Sequence, residues 1–157
     1  MSSDEPSSDL YRPNVAMILR NASGKILICE RADWPGCWQF PQGGVKRKES
    51  PDEALKREVL EELGLPASTY KVISSKGPYC YLFSGGAKRK GWIGQAQTYF
   101  LAELTKENIV LKLDGLSPEF RDTRWIFPQE FKLNGIPAMK HSVYQQVFAD
   151  FFDLNIS

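Results

Sequence analysis

The chain has 157 residues and carries 20 Lys and Arg against 19 Asp and Glu, a net charge of +1, so no global field marks it for nucleic acid or a membrane surface. Its 42% apolar and 25% charged content is that of a soluble globular protein, and the length suits one domain with a sizeable core. No apolar run approaches the roughly 20 residues of a membrane span, the N-terminus lacks the basic-then-apolar pattern of a secretion signal, and the three cysteines (Cys29, Cys37, Cys80) have no metal-ligand spacing, so a cytoplasmic protein without a disulfide framework is expected.

Residues 1–10 are polar, with several Ser and acidic residues, and read as a disordered tail before one domain over 11–157. Tyr11-Arg12-Pro13-Asn14 leads into the apolar run Val15–Leu19, a strand. A turn at Asn21-Ala22-Ser23-Gly24 and a second strand over Lys25–Arg31 complete a hairpin. Asp33–Cys37 is a loop, and Trp38–Gly44 a short strand ending in a glycine turn, where the backbone either turns tightly or approaches a metal or phosphate.

Ser50-Pro51-Asp52-Glu53 is a strong helix start: Ser50 as N-cap, Pro51 at the first helical position, Glu53 placed for a capping box. Gly64 suits the position just past the end, and Pro66 prevents continuation. Leu55, Val59 and Leu63 share one face. Glu58 and Glu62 flank that stripe, while Glu61 lies further round. Like charges four residues apart repel, and carboxylates beside a core-facing stripe are costly unless a cation compensates them. Hard divalent ions bound by carboxylate oxygens are one compensation; a solvated acidic face with Lys56 and Arg57 as partners is the other.

Beyond the helix, Tyr70–Ser75 and Tyr79–Phe83 read as strands, Ser84–Gly91 as a basic loop, and Gln95–Leu104 as a confident alternating strand. Lys106–Asp114 is ambiguous between strand edge and loop. Ser117-Pro118-Glu119-Phe120 is a turn before a strand over Arg124–Phe127. Lys140–Leu154 carries Val143, Val147, Phe148, Phe151 and Leu154 at helical spacing. The order β-β-β-α-β-β-β-α predicts an α/β fold, a mixed sheet flanked by helices.

From Gly43 to Leu65 the chain reads Gly, five residues, Glu49, seven residues, then Arg57-Glu58-Val59-Leu60-Glu61-Glu62-Leu63-Gly64-Leu65. Every fixed position resembles the signature of the Nudix hydrolases. The resemblance implies a Nudix-type α/β/α sandwich and a loop–helix–loop that holds Mg²⁺ or Mn²⁺ and cleaves a nucleoside diphosphate linked to another group. It implies metal ligands among Glu58, Glu61 and Glu62, with a backbone carbonyl at Gln42 or Gly43. Glu49 and Arg57 would fix the loop–helix geometry.

Further blocks, Tyr11–Val15, Trp38–Gly44, Ile93-Gly94-Gln95, Ser117–Phe120 and Lys140 with Val143-Tyr144, look like the bacterial RNA 5′-pyrophosphohydrolases, whose near relatives hydrolyse diadenosine polyphosphates. That branch implies Glu119 as metal ligand or base, and Gln39 and Gln95 as substrate contacts. Met139 stands where such enzymes can carry an aromatic that stacks on a base. Arg12, Arg31 and Lys140 suit phosphate or base contacts by their charge. Lys46-Arg47-Lys48 and Lys88-Arg89-Lys90 are basic runs able to guide an RNA backbone, and His141, the only histidine, reads as a surface residue. The expected activity is removal of pyrophosphate from 5′-triphosphorylated RNA. Hydrolysis of diadenosine polyphosphates or nucleoside triphosphates is the alternative, and a nucleotide-sensing module the non-enzymatic one. The oligomeric state is open.

Overall fold

The computed structural model of the protein describes residues 8–115 and 118–157. Among these residues there are seven strands and two α-helices, in the order β1 (Tyr11–Arg20), β2 (Ile26–Arg31), β3 (Trp38–Gln39), β4 (Gln42–Gly44), α1 (Pro51–Leu63), β5 (Tyr70–Leu82), β6 (Gly94–Leu104), β7 (Phe120–Ile126) and α2 (His141–Phe152). The strands form one sheet along β3-β2-β1-β6-β5, with β4 added to β1 and β7 to β2. β1 and β6 run parallel from Tyr11 opposite Gly94 to Arg20 opposite Glu103, and the other pairings are antiparallel, so the sheet is mixed as expected.

The sheet is covered on both faces, which explains why β1 is a continuous apolar run rather than an alternating one. Val15, Met17 and Leu19 pack with Leu55, Val59 and Leu63 of α1. Ala16 and Ile18 point the other way, to Val143, Tyr144, Val147 and Phe148 of α2. β6 divides in the same way, with Phe100 and Ala102 toward α1 and Tyr99 and Leu101 toward α2. This is an α/β/α sandwich. On the α2 side, Phe40 stacks on Tyr144 at 5.6 Å between ring centres, and the Tyr144 hydroxyl accepts the Phe40 N–H.

Several elements differ from the sequence reading. The strand expected over Trp38–Gly44 is two strands on different neighbours. Pro41 has no N–H to continue a ladder, and its carbonyl instead accepts the Met17 N–H. The two strands expected over 70–83 are one, β5, with irregular register between Val72 and Ser74 and around Gly77-Pro78. β7 begins at Phe120 rather than Arg124. Residues 106–114 form no strand; the Lys112 N–H closes on the Leu63 carbonyl, and Leu111 and Leu113 pack beside α1. The expected disordered tail falls mostly on residues 1–7, outside the described residues. Its last three residues instead form a 3-10 turn, and the Leu10 carbonyl accepts the Ile93 N–H. The turn over 117–120 also lies partly outside the described residues.

The helix boundaries follow their capping residues. The Ser50 hydroxyl accepts the Glu53 N–H while the Glu53 carboxylate accepts the Ser50 N–H, and Gly64 ends α1 in the left-handed region at φ 67°. Ser50→Ala removes the hydroxyl half of this box and is expected to lower stability by about 1 kcal/mol, read from urea denaturation.

Candidate active site

The loop after β4 and the first turns of α1 are tied together by one side chain. Arg57 donates from Nε and Nη2 to the two Glu49 oxygens at 2.8 and 2.9 Å, from Nη2 to the Gly44 carbonyl at 2.9 Å, and from Nη1 to Glu58 at 2.8 Å. Glu49 also accepts the Lys46 N–H at 2.9 Å. The Arg57 guanidinium holds the Glu49 carboxyl down to about 2. Both residues thus tie the loop to the helix. Gly43 sits against the Glu58 carboxyl: a β-carbon there would overlap it, so only glycine allows this approach. Gly44 is covered in the same way by the Arg12 guanidinium.

Glu58, Glu61 and Glu62 each bring a carboxylate oxygen to within 4.8 Å of the others. Glu58 and Glu62 are half-buried and Glu61 is exposed, as the helical wheel predicts. Burial, and the charges of neighbouring carboxylates, push the Glu58 and Glu62 carboxyls above the usual range, although Arg57 opposes this at Glu58. Glu119, from outside the helix, joins the group. Taken over its whole surface it is exposed, but its carboxyl is packed among protein atoms beside Glu62 and Glu58, and is pushed up to about 7 by burial first and by those two charges next. These residues, with Gln42, Gly43, Arg12 and Gln95, line one cleft of about 280 Å³. A larger hollow of about 520 Å³ lies beside Asn21, Thr105 and Trp125, at the other end of β1 and β6.

The cleft floor is a relay of buried amides. Gln97 donates to Gln42 at 2.6 Å and to Asn14 at 2.9 Å; Asn14 donates to Gln95 at 2.8 Å; Gln95 donates to the Tyr81 hydroxyl at 2.6 Å. The register creates it: Asn14 lies opposite Gln97 on β6 and Gly44 on β4. Asn14, Gln97 and Tyr81 were missed from sequence. The available signal was polar residues at positions buried inside apolar strands, where an amide needs a partner.

The remaining expected contacts lie beside the cleft rather than along its lining. Arg31 is held by Asp33 and feels the charge of Glu119. Lys140 is 4% exposed, with its ammonium 5.7 Å from the centre of the Tyr81 ring, and burial followed by repulsion from Arg31 lowers it to about 8. Met139 packs against the α2-side core. Gln39 is buried on β3, its Oε1 without a partner among the described residues, away from the cleft lining, because β3 pairs with β2 and not with β1. His141 is partly buried and bonds the Ile136 carbonyl at 2.7 Å.

A family model described as the NUDIX domain matches residues 10–150. The chain belongs to the Nudix family. It is 38% identical over 148 residues to a protein of Helicobacter pylori (strain P12) named RNA pyrophosphohydrolase, across 90% of this chain and 93% of that one. A protein of Teredinibacter turnerae with the same name is 34% identical over 148 residues, across 91% and 86%. Among solved structures, the Escherichia coli dihydroneopterin triphosphate pyrophosphohydrolase matches with TM-score 0.64 and 20% identity over 90% of this chain and 97% of that one. A Caenorhabditis elegans Ap4A hydrolase matches with TM-score 0.62 and 17% identity over 91% and 99%. These two likenesses establish the Nudix fold, an α/β/α sandwich around a mixed sheet. No helix among the described residues is long and apolar enough to cross a membrane.

Nudix hydrolases are generally dependent on divalent metal. The residues here fit one: three converging carboxylates, two of them desolvated and mutually repelling, beside Gly43, which the structure places in strand β4 rather than in the expected turn and which lets the Glu58 carboxyl lie against the backbone. This arrangement makes a signed prediction. The Glu58, Glu62 and Glu119 carboxyls are raised in the metal-free protein, so folding favours their protonated forms. That contribution is complete below their ordinary value of 4.5 and is lost as pH rises, for Glu119 through about 7. The metal-free protein is therefore expected to melt lower at pH 7.5 than at pH 5.5. Mg²⁺ or Mn²⁺, which bind the deprotonated carboxylates, should raise Tm more at pH 7.5. Glu62→Gln should fold and lose most of that ion-induced gain in a thermal-shift titration.

Proposed function

We propose that this Nudix hydrolase is an RNA 5′-pyrophosphohydrolase, acting in the cytoplasm with Mg²⁺ or Mn²⁺. It converts the 5′-triphosphate or diphosphate end of RNA to a monophosphate and so opens the transcript to decay. The observation that carries the reading is the meeting of Glu58 and Glu62 with Glu119 across one cleft. The similarity to proteins named RNA pyrophosphohydrolase over about nine-tenths of the chain supports the choice of substrate.

In this reading Glu58, Glu61 and Glu62, with a Gln42 or Gly43 carbonyl, hold the ion. When bound, the ion neutralises phosphate charge and lowers the pKa of water. Arg57 keeps the Glu58 carboxyl directed at Gly43. Glu119 accepts the proton of the attacking water at a carboxylate oxygen. The water oxygen bonds to phosphorus, the bridging P–O bond breaks, and the leaving phosphates depart with its electron pair. Arg12 adds positive charge over the cleft, and Arg31 and Lys140 provide cations beside it for phosphate or base.

Triphosphorylated RNA, diadenosine polyphosphates and GTP, offered side by side, test the substrate. Preferred turnover of RNA is expected; preference for either small nucleotide would move the assignment to that class. For the base, Glu119→Ala is expected to lower kcat on RNA by ~10²–10⁴-fold with a much smaller change in KM. A loss confined to KM would reassign Glu119 to binding. The exposed basic loop is a third check. Arg89 lies 4.4 Å over the Phe83 ring and is close enough to Lys140 and Tyr81 to affect both. Replacing Lys88, Arg89 and Lys90 by Ala should lower kcat/KM for RNA several-fold and change GTP hydrolysis much less, and the RNA loss should shrink at high salt.

A further inference from the structure

The loop between β2 and β3 carries a large aromatic side chain that contributes to neither apolar cluster of the described residues. Trp34 is 49% exposed. Exposing an indole ring gives folding nothing, yet the chain holds this one in place. Trp34-Pro35-Gly36-Cys37 is a tight turn closed by the Cys37 N–H on the Trp34 carbonyl at 3.0 Å. Proline at its second position and Gly36 at φ 89° in the third give it the type II form. The Gly36 N–H is taken by the Glu30 carboxylate at 2.9 Å, and the Arg31 N–H by the Cys37 carbonyl at 2.9 Å. Arg31 lies over the indole, 5.7 Å from the ring centre, and is itself held by two bonds to Asp33 at 2.8 and 2.7 Å. The ring is thus preorganised by backbone turns, a cation and an ion pair, while nearly half of its surface stays open.

The loop is also joined to the catalytic cleft. The Ala32 N–H donates to the Glu119 carbonyl at 2.8 Å. Trp34 is two residues further on, within roughly 7 Å of chain, and therefore stands within reach of the first nucleotides of a substrate whose phosphates lie at Glu119. An exposed aromatic ring flanked by an arginine is suited to a nucleobase, which stacks on the ring while the cation attracts its phosphate.

We infer that Trp34 is a specificity-determining residue that stacks a nucleobase near the 5′ end of single-stranded RNA, next to the cleft that receives its phosphates. The inference rests on the RNA reading above and adds the contact that separates RNA from its bare polyphosphate end. Base–aromatic stacking is tolerant of sequence, so Trp34 would favour RNA in general rather than one 5′ nucleotide.

Steady-state kinetics on a short 5′-triphosphorylated RNA test it. Trp34→Leu keeps apolar bulk and removes the stacking face, and is expected to raise KM roughly 5- to 50-fold with a smaller change in kcat. Trp34→Phe should recover most of the wild-type KM. On the same RNA made abasic at its first two nucleotides, the gap between wild type and Trp34→Leu should close. An unchanged KM in Trp34→Leu, a gap that persists on abasic RNA, or a change of sedimentation coefficient in Trp34→Leu with KM unaltered would each overturn the inference. Equilibrium binding of the same RNAs, read by fluorescence anisotropy without turnover, gives the same comparison. A wild-type protein that fails to hydrolyse RNA would therefore count against the proposed function, while the anisotropy comparison would still decide Trp34. The exposed position of the ring makes matched melting curves the expected folding control.

Discussion

The Arg57 guanidinium holds the site together. With one planar group it bonds both oxygens of Glu49, the Gly44 carbonyl and Glu58. Without it, the loop after β4 and α1 would lose these bonds, and Glu58 would be a half-buried carboxylate without the guanidinium that now contacts it. A lysine cannot replace this, because the geometry needs several fixed donors in one plane. The same clamp uses the left-over charge of Glu49 productively, since a carboxylate with two guanidinium bonds and a backbone N–H is strongly stabilised as an anion.

What the clamp positions, the sheet supplies. α1 is held by Leu55, Val59 and Leu63 on one face of the sheet, which leaves Glu58 and Glu62 at the border between core and solvent. That border is where desolvation and mutual repulsion act together, and where a divalent ion would give the greatest relief. β4 then lays Gln42 to Gly44 along β1, next to the helix, so backbone and carboxylates face the same space. The parallel pairing of β1 with β6 adds the amide relay beneath them. Each amide there has its partner supplied by a different strand, so the relay is a product of register. A slip by one residue would turn Asn14 and Gln97 to the opposite face.

Beside the carboxylates the chemistry changes sign. Lys140, Arg31, Arg89 and Arg12 crowd around Tyr81 and Glu119, and the near burial of Lys140 lowers its pKa although the Glu119 charge opposes this. The result is an acidic half of converging carboxylates and a basic, aromatic half beside it. Neither half is visible in a net charge of +1.

The sequence by itself determined the local parts. The capping box and Gly64 set the ends of α1, the spacing of Leu55, Val59 and Leu63 set its buried face, and the run from Gly43 to Leu65 identified the family, because each of these depends on residues within a few turns of one another. Glu119 could be named as a partner only through resemblance; that its carboxyl is buried beside Glu62, and is raised by that burial first and by that charge next, depends on the packing of a distant segment. Which residues would share one cleft was decided by tertiary structure. Gln39 and Gln95 looked equivalent in sequence, yet Gln39 follows β3 onto β2 while Gln95 lies on β6 beside β1, so only Gln95 reaches the cleft. Asn14 and Gln97 are 83 residues apart and meet across a parallel pairing that no local pattern encodes. Pro41, by interrupting one expected strand, sends its two halves to different neighbours; the break is legible in the chain, but the partners are chosen by the sheet.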